Sequence, residues 1–225
     1  MEYDDTITVV TGLLNQMFVE RLISAYKDVK HKMVSTWRSS NRELLRQLLE
    51  NGFIIVLSQE PATRTMVRVT ATSRAAVLKA QELGFKYICR SRTDIFPENH
   101  LKFLDVTRDL YKEKITVLSG VNLCDHIYYF DHIVCGSVEN MLLFYTLKGT
   151  VPLLPTPEIS LLQNYAGEKI VSKEEVKKHL NISKAICLKE GIEIIWYRPK
   201  DYPFPRTIPF SKLISEYCVA FFSFD

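Results

Sequence analysis

The sequence predicts an α/β fold: a doubly wound, mostly parallel sheet with helices on both faces. Three observations carry this expectation. Short β-branched or apolar runs alternate with stretches of helical periodicity through short connections, the pattern of stacked right-handed β-α-β crossovers. The run Phe53 to Leu57, FIIVL, is continuously apolar, as a parallel strand covered on both faces should be. Successive runs also end in polar tips, Thr11-Gly12, Ser35-Thr36-Trp37 and Ser58-Gln59, which parallel winding gathers along one edge of the sheet.

Taken in order, Thr6 to Thr11 is a β-branched strand stopped by Gly12, followed by a helix with Met17, Leu22, Ile23 and Tyr26 on one face. Lys32 to Thr36 is a second strand ending in Trp37. Ser40 or Asn41 then caps a helix whose apolar face is Leu44, Leu45, Leu48 and Leu49, and Gly52 ends it. After the FIIVL strand, Val69, Ala76, Val77 and Ala80 set a helix over Thr65 to Leu83, with Arg68, Thr72 and Arg74 near its start. Beyond Pro97 the sequence predicts a helix from Leu101 to Tyr111, a strand from Ile115 to Ser119, and one strand from Ile127 to Val134 carrying Asp131 and His132, broken by Gly136. Ser137 caps a helix reaching Lys148. Pro152, Pro155 and Pro157 force an extended loop, after which Glu158 opens a helix from Ile159 to Tyr165. Ser172 to His179 reads as a surface helix, Ile192 to Tyr197 as an apolar run, Pro199 to Pro209 as proline-rich, and the chain ends in an apolar VAFFSFD tail.

Composition limits the function. At 225 residues and 47% hydrophobic content the chain can bury one substantial core, and residues 1–225 are expected to form a single domain. A net charge of +3 with scattered basic residues disfavours nucleic acid as a partner. Five cysteines without a CxxC pair or regular spacing imply reduced, mostly buried thiols and a cytosol-like compartment, so a cytoplasmic location is expected. The acidic MEYDD start is not a secretory signal, and no apolar run approaches a membrane span, so no transmembrane segment is expected.

The stretch with chemical content is Gly84 to Pro97, GFKYICRSRTDIFP, where the apolar run Tyr87 to Cys89 leads into RSRTD. At a strand's carboxyl end Arg90, Arg92 and Asp94 would meet in the ligand crevice. A carboxylate beside guanidinium groups suits a phosphate ester with a divalent cation. The competing reading is a plain surface ion pair between Arg92 and Asp94. Neither GxGxxG nor GxxxxGK[ST] occurs, which removes dinucleotide-fold and P-loop phosphate binding. The absence of GxSxG and HExxH, and histidines without ligand spacing, weaken hydrolase readings. Asp131 and His132 are neighbours on a strand and point to opposite faces, so only one can enter a given site; His132 reads as an ordinary packing residue.

The ordered stretches STW at 35–37, LSQEP at 57–61, the Arg68 helix start, KYICRSRTDIFP at 86–97, YYFDHIVCGSVENML at 128–142 and PTPEISLL at 155–162 resemble WavE-type lipopolysaccharide-synthesis glycosyltransferases. RSRTD and FDHIVCGSVENM are the most specific of them. The resemblance spans about residues 5–165, leaving 166–225 as a C-terminal appendage packed on that core. It implies a GT-A-like nucleotide-sugar fold in which an acidic motif at a strand end binds Mn²⁺ or Mg²⁺ on the donor diphosphate, which assigns the metal to Asp94. The family motif has two acids flanking one residue, and Arg92 stands in the first acidic place. The resemblance implies an inverting transfer of a hexosyl or pentosyl group from a nucleotide-sugar donor to a glycan or lipopolysaccharide-like acceptor; such a transfer needs a carboxylate base, for which Glu158 is the first candidate and Asp131 the alternative base or sugar contact. Thr11, Gly12, Thr36 and Trp37 would hold base and ribose, with Arg68, Arg90 and Arg92 on the donor. The alternative is a catalytically inactive GT-A-like module that binds nucleotide sugar or docks a partner domain through the apolar C-terminal tail.

Overall fold

The structure is a computed structural model and describes residues 3–62, 65–118, 120–123, 126–129, 132–147, 157–170, 172–196 and 222–223. The first half alternates as expected: β1 (Thr6–Thr11), α1 (Gln16–Ala25), β2 (Lys32–Trp37), α2 (Arg42–Glu50), β3 (Ile54–Ser58), α3 (Thr65–Glu82) and β4 (Tyr87–Arg92). Then come β5 (Ile95–Pro97), α4 (His100–Glu113), β6 (Ile115–Val117), β7 (Gly120–Leu123), β8 (His126–Tyr129), β9 (Ile133–Ser137) and α5 (Val138–Phe144). The described chain closes with α6 (Pro157–Ala166), α7 (Lys173–His179), β10 (Leu180–Ile182), α8 (Lys184–Lys189), β11 (Ile194–Trp196) and β12 (Phe222–Ser223).

The helix starts follow from local chemistry. Asn15, Asn41, Asn99 and Ser137 each accept, through the side chain, a backbone N–H of the first turn they precede. Ser172 and Glu175 form a reciprocal capping box at α7.

The main sheet runs β10-β6-β9-β4-β1-β2-β3, with β5 joined to β4 and β11 joined to β5. β3, β2, β1 and β4 are mutually parallel, while β9 lies antiparallel between β4 and β6. A second, three-stranded sheet has the order β12-β7-β8. One core packs α3, α5 and α6 against the face carrying Ile7, Val9, Met33 and Ile88. The opposite face is covered in two parts: α1 and α2 over Val10 and Val34, and α4 and α8 over Cys89, Ile133 and Cys135. Helices thus lie on both faces, and the doubly wound, mostly parallel class holds.

Several element expectations are corrected. FIIVL runs parallel to β2 and is packed on both faces, Ile54 and Val56 against the α3 side and Phe53 and Ile55 against the α1 and α2 side, but among the described residues no strand lies beyond β3, so Ile54–Ser58 are only partly buried and Leu57 is exposed. The expected single strand from Ile127 to Val134 is two strands in different sheets, β8 and β9, and Asp131 between them lies outside the described residues. Gly136 does not break the strand; it sits inside β9, where a Cβ would come 3.3 Å from Ile115 Cγ1, so the glycine admits close packing. The helix after Ser137 stops at Phe144. Leu49, placed on the apolar face of α2, is exposed. Phe222–Ser223 of the apolar tail pairs antiparallel with Val121–Asn122 of the same chain, and the rest of that tail lies outside the described residues. Among the described residues no helix is long and apolar enough to cross a membrane.

Candidate functional site

The chain winds from β1 out to β3 and then returns to lay β4 on the other side of β1. This reversal is a topological switch point, where an open parallel sheet leaves a crevice beyond its carboxyl ends. A cleft of about 390 Å³ lies there. Its floor is made by the ends of β1 (Thr11, Gly12) and β4 (Arg90, Arg92), and Trp37 comes from the end of β2. The turn after β4 adds Thr93 and Asp94, and the first turns of α3 add Arg68, Val69 and Thr72.

Strand alternation explains why two arginines enter together. Ile88 belongs to the face packed under α3, so Arg90 and Arg92, two and four residues on, project to the same side, while Cys89 and Ser91 project to the other. The parallel register sets Val9 beside Arg90 and Thr11 beside Arg92. Arg90 is therefore inside the strand, not past its end as the RSRTD reading expected, and it is only 3% exposed. Its Nε donates to Thr11 Oγ1 at 2.9 Å, and its guanidinium lies 5.9 Å from the centroid of the Tyr145 ring. On the reverse face Ser91 Oγ meets the Tyr26 hydroxyl at 2.8 Å, and burial raises the Tyr26 phenol well above its ordinary pKa, so that contact stays a neutral hydrogen bond.

Thr93 and Asp94 form the two-residue turn that joins Arg92 to Ile95. Thr93 N–H donates to Thr11 O at 3.1 Å, which ties the turn to the end of β1. Gly12 meets it there: its φ is +138°, and a Cβ would stand 2.7 Å from Thr93 Oγ1. Only glycine fits both the dihedral and the space. Thr36 does not line the cleft; its hydroxyl donates to Gly12 O at 2.8 Å and meets Ser40 Oγ at 3.0 Å, so it holds the tip of β1 in place. Trp37 is 4% exposed: it packs in the core and offers the cleft little of its ring.

Asp94 is gripped by Arg92 in a bidentate pair, Nε to Oδ1 at 2.9 Å and Nη2 to Oδ2 at 2.8 Å. The carboxylate is the more buried partner, its side chain 19% exposed against 38% for Arg92. The ion pair that competed with metal binding in the sequence is therefore formed. Arg68 pairs with Glu60 at 3.4 Å, a carboxylate outside the cleft lining. Among the described residues the lining carries three guanidinium groups and one carboxylate, and two of the three, Arg68 and Arg92, are each paired with an acid.

The Mn²⁺ or Mg²⁺ that the family resemblance implies does not fit this donor set. Among the described residues no group of three or more His, Cys, Asp and Glu side chains could hold a metal, and Asp94 is the one carboxylate that the described residues bring to the cleft lining. A divalent ion on Asp94 would stand close to the Arg92 guanidinium. Unit charges of like sign about 4 Å apart repel by about 4 kcal/mol at an effective dielectric of about 20, and a divalent ion doubles this.

Of the residues singled out in the sequence, Thr11, Gly12, Trp37, Arg68, Arg90, Arg92 and Asp94 line this one cleft. Leu13, Phe18, Val69, Thr72 and Thr93 line it as well. Thr93 was legible as the residue pairing with Gly12 once Thr11 is set beside Arg92. Phe18 carries no such mark, since its spacing fits an ordinary helix core position. Asp131 lies outside the described residues, and Glu158 is the second residue of α6, its side chain outside the description.

No family model matches this sequence, and no curated protein matches it. Solved structures similar to it include CMP:2-keto-3-deoxy-manno-octonic acid synthetase complexed with CTP, at 9% identity over 83% of this chain and 99% of that one, with a TM-score of 0.48. Another is 4-diphosphocytidyl-2C-methyl-D-erythritolsynthase from Anaerococcus prevotii, at 10% identity over 83% of this chain and 100% of the other, TM-score 0.47. A third is a cytidylyltransferase from Leptospira borgpetersenii, at 11% identity over 92% and 82%, TM-score 0.46. At these scores the likeness carries no conclusion about this chain; its fold stands on the strand order above.

Proposed function

We propose that this chain is a glycosyltransferase that binds a nucleotide-sugar donor in the cleft between the ends of β1 and β4 and transfers the sugar to a glycan acceptor. The observation that carries the reading is the convergence of Arg68, Arg90 and Arg92 on one crevice at the sheet's switch point, where a diphosphate is the anion such a fork arrangement suits. The ordered motifs that resemble WavE-type enzymes favour glycosyl transfer over other uses of a nucleotide. In the reaction the bond from the anomeric carbon to the diphosphate breaks and its electron pair leaves with the nucleoside diphosphate, neutralised by the guanidinium groups. The acceptor oxygen forms the new bond to that carbon, and its proton passes to a carboxylate base, for which Glu158 is the candidate and Asp131 the alternative.

The experiment is to incubate the chain with UDP-, GDP- and CDP-sugars and a panel of oligosaccharide acceptors, following nucleoside diphosphate release and glycosylated product. Donor binding with product in any acceptor supports transfer. Donor binding with neither hydrolysis nor transfer turns the reading to an inactive nucleotide-sugar-binding module, which the replacement of an acid by Arg92 favours. No binding of any donor removes both.

A further inference from the structure

We propose that Cys89 and Cys135 are a redox-active pair: they close to a disulfide that ties β9 to β4 when the chain folds under oxidising conditions, and burial then keeps the sheet in whichever state it folded. The pair is separate from the cleft and does not depend on the nucleotide-sugar reading.

Three observations place the pair. Cys89 and Cys135 stand directly opposite each other in the antiparallel register of β4 and β9, on the face covered by α4 and α8. Residues facing each other in such a ladder have Cα atoms about 4.5 or 5.5 Å apart, and a disulfide accepts about 4.4 to 6.8 Å, so the backbone need not move to admit the bond. The two sulfurs already meet at 2.7 Å, one thiol directed at the other. Cys187 of α8 belongs to the same cluster, but it lies on a helix, outside the ladder, and its thiol engages Ser183.

Burial decides the kinetics. Both residues are fully buried, on strands with a neighbour on either side, β4 between β1 and β9 and β9 between β4 and β6. The thiolate is the attacking form, and burial pushes the Cys135 thiol well above its ordinary pKa and that of Cys187 up to about 11. Exchange therefore waits on opening of the sheet, and core strands open least often. Closure breaks two S–H bonds and forms one S–S bond. Through a mixed disulfide, two electrons pass to a low-molecular-weight disulfide such as oxidised glutathione, which is reduced to two thiols that take up the two protons. The bridge closes a loop across 46 positions, so it narrows the unfolded ensemble and stabilises the folded chain.

The test is to refold the full chain from urea by dilution into a buffer of reduced and oxidised glutathione, confirm recovery by circular dichroism, alkylate the free thiols and map the disulfides by mass spectrometry. Chymotrypsin cuts between Cys124 and Cys135, at Tyr128, Tyr129 and Phe130, so the two are told apart. The Cys89–Cys135 linkage should dominate in the refolded chain and be one pairing among many in chain kept unfolded in urea. Equal frequency of the linkage in the two samples overturns the proposal. Chain that is never unfolded, held in the same buffer with urea below its unfolding transition, should acquire the same bridge, and omitting the urea should slow this at least about tenfold. Both thiols still open to alkylation in that urea sample overturn the pairing, and a rate indifferent to urea overturns the protection by burial. The bridged chain should have a Tm on the order of 10 °C above that of chain reduced with dithiothreitol, and an equal Tm overturns the tie between the strands. Cys135→Ser should abolish both the linkage and the Tm difference, whereas Cys187→Ser should keep both; their loss in Cys187→Ser counts against the assignment.

Discussion

Arg90 Nε and Thr11 Oγ1 meet at 2.9 Å across the parallel pair β4 and β1, and the hydroxyl lies 3.4 Å from Ser91 O, to which it donates. Thr11, 2% exposed, therefore anchors a buried guanidinium and spans two strands at the floor of the cleft. Thr11→Val keeps the shape and removes the oxygen. It should cost about 1–3 kcal/mol of stability by leaving a buried charged donor without this acceptor, whereas Thr11→Ser should cost far less. Urea denaturation of the two variants checks the difference. In the same variants nucleoside diphosphate affinity should fall for Val and survive for Ser.

Gly12 and Thr93 form the second constraint on the cleft. Gly12→Ala should destabilise by roughly 1–3 kcal/mol, since the alanine must take a φ of +138° and place its Cβ 2.7 Å from Thr93 Oγ1. Adding Thr93→Ala removes the clash but not the dihedral, so the double variant should recover only part of the loss. Chemical denaturation of the four-member cycle reads this; full recovery would place the whole cost in the clash.

His100 sets a pH dependence. It is buried, its Nε2 is 2.6 Å from Thr8 Oγ1, and the Tyr26 and Phe103 rings pack around it. Burial lowers its pKa from 6.5 to about 3. Between these values the unfolded chain binds a proton that the folded chain refuses, so stability contributed by this group is present above about pH 6.5 and is lost as pH falls toward 3. From pH 7 to pH 5 the loss should be about 2 kcal/mol. His100→Gln should flatten that part of the profile, measured as unfolding free energy against pH and compared with the parent chain. An unchanged slope would assign the acid sensitivity elsewhere.

Glu158 is tested through chemistry. Glu158→Gln should reduce kcat by on the order of 10² to 10⁴ while leaving donor affinity nearly intact, because a base acts on the acceptor and not on the diphosphate. NMR of the product gives the anomeric configuration, and a retained configuration refutes the role. If the product is inverted and Glu158→Gln keeps its turnover, the base moves to Asp131, whose amide substitution should then show the loss.

The sequence by itself determined the alternation of strands and helices through β4 and the polar residues that close the first three strands. It brought Arg90, Arg92 and Asp94 to one end of the fourth strand but closed that strand at Cys89, three residues early. These are matters of local periodicity: a β-branched run and a helical spacing act within one element and need no knowledge of its neighbours. It could not tell Phe53 to Leu57 as an edge from a central strand, because an apolar run reads alike in either place until the strand order is known. Nor could it separate Ile127 to Val134 into two sheets, since a continuous β pattern carries no mark of where pairing partners change. Only the tertiary structure decided that Thr93 closes on Gly12, that Thr11 holds Arg90, and that Arg92 takes both oxygens of Asp94. The first two contacts join residues about eighty positions apart in the chain, which meet only because β4 is laid against β1. The third is local, yet the sequence left ion pair and metal ligand as equal readings. The turn to Ile95 forms the ion pair by bringing the carboxylate against the guanidinium fork.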